Sequence, residues 1–217
     1  LTAVAMAAVS AAPVMADEIK DLYDYETQAR EVETWNILHS QSAADLNVLT
    51  NLYDGLVEAD EYGKVVPAIA ESWETEDNGI TWTFHLREGV KWVDQNGNEK
   101  GEVTAQDFLT GLEWILNFHK NDAANTSMPM EMIVGAEDYY NMTSELDADA
   151  GFALTAESPE FADTVGIKAI DDYTLQYTCV SEKPYFDTLG VKLLYPISQG
   201  MIDEIGVDGF KAATPEN

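Results

Sequence analysis

Carboxylates and tryptophans are the residues of this 217-residue chain that most readily suggest a catalytic site, because together they are typical of enzymes that cleave sugars. Two acids that flank a sugar bond at a defined separation can hydrolyse it, and Glu71 with Glu74, or Asp107 with Glu113, could be proposed for that role. The chain holds 40 Asp and Glu residues, however, so such pairs arise by chance. Asp107 also has a simpler role at the start of a helix. We therefore do not expect an enzyme.

The histidines and glycines do not form a metal or phosphate site either. His39, His85 and His119 are scattered, and none lies at a short ligand spacing from another His or Cys. Gly97 and Gly101 indicate turns rather than a phosphate-binding loop. We expect no metal and no cofactor.

The tryptophan-rich segment 66–108 has the clearest local pattern. Apolar and polar side chains alternate over residues 80–86, which predicts a half-buried strand. Residues 77–79 supply turn chemistry just before it, because Asn and Gly tolerate positive φ. The pattern predicts a hairpin in which Trp73 pairs with Trp82.

A second turn, at residues 94–98, leads towards a helix. Thr104 is typical of an N-cap, and Asp107 stands three residues on, as in a capping box. Helical spacing of apolar residues continues as far as His119. Taken alone, this region predicts a sheet packed on a helix.

The remaining elements are predicted more coarsely. Spacing and proline or glycine signals predict helices at residues 42–53, 131–142, 184–189 and 199–205. The acidic segment 143–160 predicts a surface excursion, and residues 166–179 predict a hairpin. The periodicity of residues 17–40 does not distinguish a strand from a helix.

The charge balance excludes one class of partner. Lys and Arg number 11 against 40 Asp and Glu, a formal net charge of −29, which repels nucleic acids and anionic membranes. The excess of acidic residues could attract cationic ligands, but solvation of an exported protein is the simpler explanation for it.

Cys179 is the only cysteine, so no disulfide can form within the chain, and we expect it to be a buried small hydrophobe.

The first residues indicate export. Residues 1–16 are apolar and alanine-rich and stop before Asp17, which is typical of the end of a secretory signal peptide. This run is shorter than the roughly 20 residues that span a bilayer. We expect a signal peptide remnant over 1–16, a chain truncated at its front, and a soluble periplasmic or cell-surface-associated protein without a visible lipid-anchor cysteine.

A set of short motifs, in this order along the chain, resembles the extracellular solute-binding proteins of family 5, the oligopeptide- and dipeptide-binding receptors of ATP-driven (ABC) importers. The matching residues are 51–56, Pro67, Ala70, Trp73, Gly79, Trp82, Phe84, Leu86, Arg87, 90–92, Asp94, Thr104, Ala105, Asp107, Phe108, 165–175 and 184–186. The resemblance covers roughly residues 38–206. One departure is an insertion at 95–102, which we expect to be a longer surface loop.

The resemblance implies an α/β (mixed α+β) fold of the periplasmic-binding-protein type, class II, type C. Residues 17–52 would open the first lobe with a strand, 53–178 would form an inserted small domain, and 179–217 would return to the first lobe without completing it. The second lobe would follow residue 217. The tryptophan hairpin then lies in the inserted domain, where a core role is expected rather than a ligand platform.

The resemblance also implies a receptor, not an enzyme: a monomer that binds short peptides between two lobes and delivers them to the permease of the importer. The ligand contacts that it implies are Asn36, Gln41, Ser42, Ala43, Asp45 and Met130. Helix capping explains Gln41 and Ser42 equally well, and core packing explains Met130. A secreted carbohydrate-active hydrolase is the alternative from another class, and nickel, opine or sugar receptors are alternatives among binding proteins.

Overall fold

The computed structural model describes residues 31–40, 42–121, 125–191 and 194–212. The expected signal peptide remnant and most of the expected opening strand lie outside these residues, and so does Gln41. None of the helices in the part of the chain that the structure describes has both the length and the apolar character needed to cross a bilayer.

Helices and antiparallel strands are mixed, as the sequence predicts. The helices are α1 (Ala43–Leu49), α2 (Ala105–Leu116), α3 (Ser127–Met132), α4 (Ala136–Ser144), α5 (Ala148–Ala153), α6 (Pro159–Ala162) and α7 (Gln199–Ala212), with a 3-10 helix at Phe186–Val191. A kink at Gly206, whose φ is 78°, divides α7 into two parts. The strands are β1 (Val57–Ala59), β2 (Val65–Pro67), β3 (Ala70–Glu76), β4 (Thr81–Leu86), β5 (Lys91–Val93), β6 (Glu99–Glu102), β7 (Ile167–Asp171) and β8 (Thr174–Thr178). They form a four-stranded sheet in the order β3-β4-β8-β7 and two separate hairpins, β1-β2 and β5-β6.

The tryptophan hairpin is confirmed, but its predicted register is wrong. Trp73 lies opposite Phe84, and Thr75 lies opposite Trp82. The connection 77–80 holds four residues between the last paired residues, and three of them have positive φ, so the strands pair two positions away from the predicted register. Trp73 and Trp82 instead both stack on Phe84, with ring centroids 6.4 and 6.3 Å away.

Helix α2 starts where the sequence predicts. The Thr104 N–H donates to Asp107 Oδ2 at 2.8 Å, which completes the capping interaction. The helix ends at Leu116, however, because Asn117 has extended backbone angles, so His119 lies beyond it. Gly111 allows α2 to approach the segment at 194–198, since a Cβ there would lie 2.3 Å from the Tyr195 carbonyl oxygen.

Several other predicted bounds are wrong for local reasons. The helix expected over 131–142 is divided into α3 and α4 at Gly135, whose φ of 70° interrupts the helix. The expected surface excursion 143–160 contains α5 and the start of α6. The helix expected over 42–53 stops at Leu49.

The remaining hairpin predictions hold with one correction. The expected hairpin at 166–179 is confirmed as β7-β8, and the turn at 94–98 is confirmed between β5 and β6. The insertion at 95–102 is not a plain loop, because residues 99–102 pair with β5 as strand β6. Cys179 is buried, as expected, and burial raises the pKa of its thiol to about 11.

Two hydrophobic cores flank α2. Its residues Phe108 and Leu112 belong to the larger core, which includes the four-stranded sheet. Trp114 and Ile115 belong to a smaller core with Phe210 of α7 and with residues before and within α1. The division into a first lobe and an inserted domain stays a prediction.

A buried ion pair extends from the same helix. Lys120 Nζ lies 2.7 Å from Glu113 Oε2, and the two side chains are 5% and 2% exposed. The other carboxylate oxygen of Glu113 accepts hydrogen bonds from Tyr139 and Asn117, each at 2.8 Å. Burial raises the pKa of Tyr139, and proximity to Glu113 adds to that effect. The buried charges are thus paired and hydrogen-bonded, which a low-dielectric interior requires.

We expect Trp82→Ala to lower the free energy of unfolding by about 3–5 kcal/mol, because Trp82 is 4% exposed and its removal leaves a cavity. Its indole N–H also donates to the carbonyls of Gly79 and Lys183, each at 3.2 Å. Urea unfolding measures the loss, and Tyr62→Ala, at an 86% exposed position, is the control. Ligand affinity of the folded variant should barely change, and a large affinity loss without destabilisation would contradict a core role.

We expect Lys120→Met to lower the free energy of unfolding by about 3–5 kcal/mol, because it leaves the Glu113 carboxylate buried without a counter-charge. The double variant Lys120→Met with Glu113→Gln should recover much of that loss. Surface substitutions usually change the free energy of unfolding by no more than roughly 0.5 kcal/mol. A change of that size for Lys120→Met alone would show that the buried Glu113 carboxylate does not require a counter-charge.

Candidate functional site

The N-terminus of α1 is where the sequence places most candidate contacts. Ser42 is the N-cap, and its hydroxyl oxygen accepts a hydrogen bond from the Ala44 N–H at 3.2 Å. The Ala43 side chain is exposed. The structure therefore gives Ser42 the role of capping α1.

Asp45 holds the preceding loop against α1. The residue is 2% exposed, and its carboxylate accepts from the Ser40 hydroxyl at 2.9 Å and from the Glu33 N–H at 3.1 Å. These bonds give the buried carboxylate hydrogen-bond partners and fix the chain that leads into the helix. Asp45 thus supports the shape of the loop next to the candidate contacts.

Asn36 joins the start of the described chain to its end. Its amide nitrogen donates to the Phe210 carbonyl at 3.1 Å, and its amide oxygen accepts from the Leu38 N–H at 3.0 Å. The residue is 3% exposed. This pairing satisfies a buried polar side chain and positions α7 beside the loop before α1.

Met130 lies in α3, away from the N-cap in sequence, and packs partly buried against the larger core. Its helix is nevertheless tied to the same loop by a residue that the sequence reasoning missed. The Asn125 side-chain amide donates to the carbonyls of Leu38 at 2.9 Å and Ser40 at 3.3 Å. No local pattern marked Asn125, because its partners lie more than 80 residues earlier.

A cavity of about 580 Å³ lies near these residues, between the loop before α1, the β5-β6 hairpin and α7. Its lining is Trp35, Asn36, Leu52, Tyr53, Asp54, Ile69, Val90, Lys91, Trp92, Val93, Asp94, Gln95, Lys100, Val103, Pro196, Met201, Glu204, Ile205 and Phe210. Among the candidate contacts that the structure describes, Asn36 alone belongs to this lining. Of the candidate contacts, Asn36 therefore lines this cavity, whereas Ser42, Ala43, Asp45 and Met130 do not.

The carboxylate of Glu102 anchors the hairpin wall of the cavity. It accepts hydrogen bonds from Tyr173 Oη at 2.6 Å, the Gly89 N–H at 2.6 Å and Lys91 Nζ at 2.9 Å. These donors favour the ionised form, and they lower the pKa of Glu102 to about 2, with the Tyr173 hydroxyl as the main cause. The hairpin is therefore held to the β7-β8 turn and to the chain before β5.

Two further contacts tie the hairpin to its neighbours. Trp92 Nε1 donates to Asp107 Oδ2 at 3.3 Å, and Lys100 Nζ lies 3.1 Å from both carboxylate oxygens of Glu204 on α7. Burial raises the pKa of Asp107, although its hydrogen bonds act in the opposite direction. Ion pairs at exposed positions such as Lys100 with Glu204 are worth little by themselves, so they align the hairpin more than they stabilise it.

The acids considered for catalysis have structural partners or stand exposed. Asp107 caps α2 and Glu113 pairs with Lys120, while Glu71 and Glu74 lie exposed on β3. This arrangement does not favour a pair of acids working on one bond.

The histidines likewise have separate partners. His39 accepts from Trp114 Nε1 at 2.9 Å, His85 lies 3.1 Å from the Glu74 carboxylate, and His119 lies 3.0 Å from the Leu146 carbonyl. Across residues 31–40, 42–121, 125–191 and 194–212, no three or more His, Cys, Asp or Glu side chains cluster in a way that could hold a metal ion.

Comparison with known proteins places the chain in a family. Residues 64–217 match the model described as bacterial extracellular solute-binding proteins, family 5 Middle. The chain is 33% identical to the oligopeptide-binding protein AliB of Streptococcus pneumoniae over 196 residues, 90% of this chain and 27% of that protein. It is 34% identical to the oligopeptide-binding protein AmiA of the same species over 218 residues, 99% of this chain and 30% of that protein.

A solved structure shows the same fold. Haemophilus influenzae OppA in complex with the peptide RPPGFSPFR superposes with a TM-score of 0.62 and 27% sequence identity, over 80% of this chain and 30% of that one. The fold prediction of a periplasmic-binding-protein type is confirmed, and the chain spans about 27–30% of the length of these relatives. The chain belongs to the bacterial extracellular solute-binding proteins of family 5.

Proposed function

We propose that this chain belongs to an exported receptor that binds short peptides in a cleft between two lobes and delivers them to the permease of an ABC importer. The observation that carries the proposal is the 33–34% identity, over 90–99% of the chain, to proteins described as oligopeptide-binding. The peptide in the superposed Haemophilus influenzae structure supports the same ligand class. The receptor turns over no substrate and acts as a monomer outside the cytoplasm.

The binding region that we propose includes the N-terminus of α1 and the loop before it. Its contacts are Asn36, Gln41, Ser42, Ala43, Asp45 and Met130. Backbone N–H groups at a helix start are suited to an extended peptide, whose main chain can pair much as an added strand does. Hydrogen bonds to the Phe210 carbonyl and from the Ser40 hydroxyl hold the side chains of Asn36 and Asp45 in place within this region.

The lobes follow the organisation implied by the family. Residues 17–52 and 179–217 contribute to the first lobe, residues 53–178 form the inserted domain, and the second lobe lies beyond residue 217. A two-lobed receptor closes on its ligand by movement of one lobe against the other, so the ligand's full set of contacts needs both lobes.

Peptide pools should raise the melting temperature of the full-length receptor, because a ligand that binds only the folded state stabilises it. Thermal-shift measurements with pools of short peptides test this, with Ni²⁺, an opine and oligosaccharides as matched comparisons. No shift with any peptide would contradict the peptide assignment, and a shift with one comparison ligand alone would identify another member of the binding class. Hydrolysis of an oligosaccharide that a single carboxylate substitution abolishes would instead support the hydrolase alternative.

Ser42→Gly separates capping from ligand binding. Glycine is itself a good N-cap, so we expect only a few tenths of a kcal/mol of lost stability. Loss of one hydroxyl contact should weaken peptide binding by about 0.5–1.5 kcal/mol, which is roughly two- to tenfold. Isothermal titration calorimetry with a peptide from the screen measures this.

The control is Ser158→Gly, at the N-cap serine of α6. It removes a hydroxyl from an N-cap outside the proposed binding region, where the Ser158 oxygen accepts from the Thr155 N–H at 2.9 Å instead of capping its own helix. Equal peptide affinities of the two variants would show that Ser42 only caps α1.

A further inference from the structure

Asparagine is followed by glycine at two turns of the chain, Asn78-Gly79 between β3 and β4 and Asn96-Gly97 between β5 and β6. This pair of residues can react without an enzyme, because glycine has no side chain to hinder attack of its backbone nitrogen on the side-chain amide before it. In each turn the glycine N–H donates to a carbonyl three residues earlier, so this bond does not distinguish the two. The surroundings of the two turns do.

The turn at Asn78 is held on all sides. Asn78 Nδ2 donates to Glu182 Oε2 at 2.7 Å. The Gly79 carbonyl oxygen accepts from the Lys183 N–H and from Trp82 Nε1, each at 3.2 Å. Gly79 is also buried, and a Cβ there would lie 2.5 Å from the Lys183 carbonyl carbon. Neither the side-chain amide nor the glycine peptide can therefore turn towards the other without breaking these contacts.

The turn at Asn96 has room to react. Asn96 and Gly97 are both exposed. The Asn96 backbone N–H donates to Asp94 Oδ1 at 2.8 Å, but its side chain makes no hydrogen bond with the residues that the structure describes. Apart from its chain neighbours, no described atom lies within 4 Å of the place that a Cβ at Gly97 would take. Exposed turns with few contacts open at a low free-energy cost, so the two reacting groups can meet here.

We propose that Asn96 deamidates spontaneously in the folded protein, whereas the fold protects Asn78. The Gly97 backbone nitrogen bonds to Asn96 Cγ, and the side-chain nitrogen leaves as ammonia together with the proton that Gly97 gives up. Water then opens the resulting succinimide ring at either of its carbonyl carbons, which gives aspartate or isoaspartate. The net reaction consumes one water, releases one ammonia and changes no oxidation state. It does not depend on the ligand of the receptor.

The modification has a consequence for the β5-β6 hairpin. Isoaspartate runs the main chain through the side chain of residue 96, which adds an atom to a turn whose length sets the register of its strands. The Asp94 carboxylate, which accepts from the backbone N–H groups of Asn96 and Asn98, would also face a second carboxylate of like charge. We expect β6 to loosen, and with it the contact of Lys100 with Glu204 on α7.

Mass spectrometry of the full-length protein, kept folded in mildly alkaline buffer, tests the proposal. Trypsin cleaves after Lys and Arg, so it places Asn96 in the peptide 92–100 and Asn78 in the peptide 65–87. We expect Asn96 to be modified about tenfold or more faster than Asn78, because a hydrogen bond to a charged group must first break at Asn78. In urea, where both turns are unfolded, the two rates should become similar. Asn96→Gln should abolish modification of the peptide 92–100, and the matched variant Asn98→Gln should not.

Several outcomes would overturn the proposal. Equal rates in the folded protein, including no modification of either residue, would show that the two turns are equally protected. A difference that persists in urea would assign the cause to neighbouring residues rather than to the fold, and modification at Asn98 would name a different site. Hydrogen exchange over residues 91–102 should be faster in the modified protein, and unchanged exchange would contradict the loosening of the hairpin. Peptide binding is measured separately by thermal shift, so failure here leaves the receptor proposal standing.

Discussion

The burial of α2 is the constraint on which the rest of the structure depends. Eleven of its twelve residues are buried, because the helix lies between two hydrophobic cores and faces both. A helix buried nearly all round cannot leave Glu113 without a counter-charge, since an isolated buried carboxylate costs several kcal/mol. Lys120 meets that need, and the same network includes Tyr139 of α4 and the Gly151 carbonyl of α5, which accepts from Asn117. The network around the Glu113 carboxylate thus ties α4 and α5 to the C-terminal end of α2.

The same helix organises the side of the molecule that carries the cavity. Asp107 at its start accepts hydrogen bonds from Thr104 and Trp92, so the residue that caps α2 also holds the β5-β6 hairpin. Its carbonyl oxygen accepts from the Ile197 N–H at 2.9 Å, which fixes the chain leading to α7. Two of the three elements that border the cavity, the β5-β6 hairpin and the segment that leads to α7, are thus held by one residue at the start of α2.

Much of the local structure and the family could be predicted from the residues. The strand at residues 80–86, the capping of α2 and the hairpin β7-β8 depend on neighbours in sequence, and these predictions are confirmed. The register of β3 with β4 and the break at Gly135 were missed, because both depend on the backbone conformation of a few turn residues. The candidate contacts came from resemblance, and the structure shows roles within the chain for Asn36, Ser42 and Asp45 that their spacing could not reveal.

By itself, the sequence determined the family, the type of most elements and the acidic character of the protein, because these properties reside in short motifs and in composition. Only the tertiary structure decided which surfaces meet. The contact of Asn36 with Phe210 joins residues 174 positions apart, and Lys100 meets Glu204 across 104. Pairs so distant leave no periodic signal, since their energies depend on how whole elements pack rather than on the residues beside them. The cavity, which those contacts border, is for the same reason a property of the folded molecule alone.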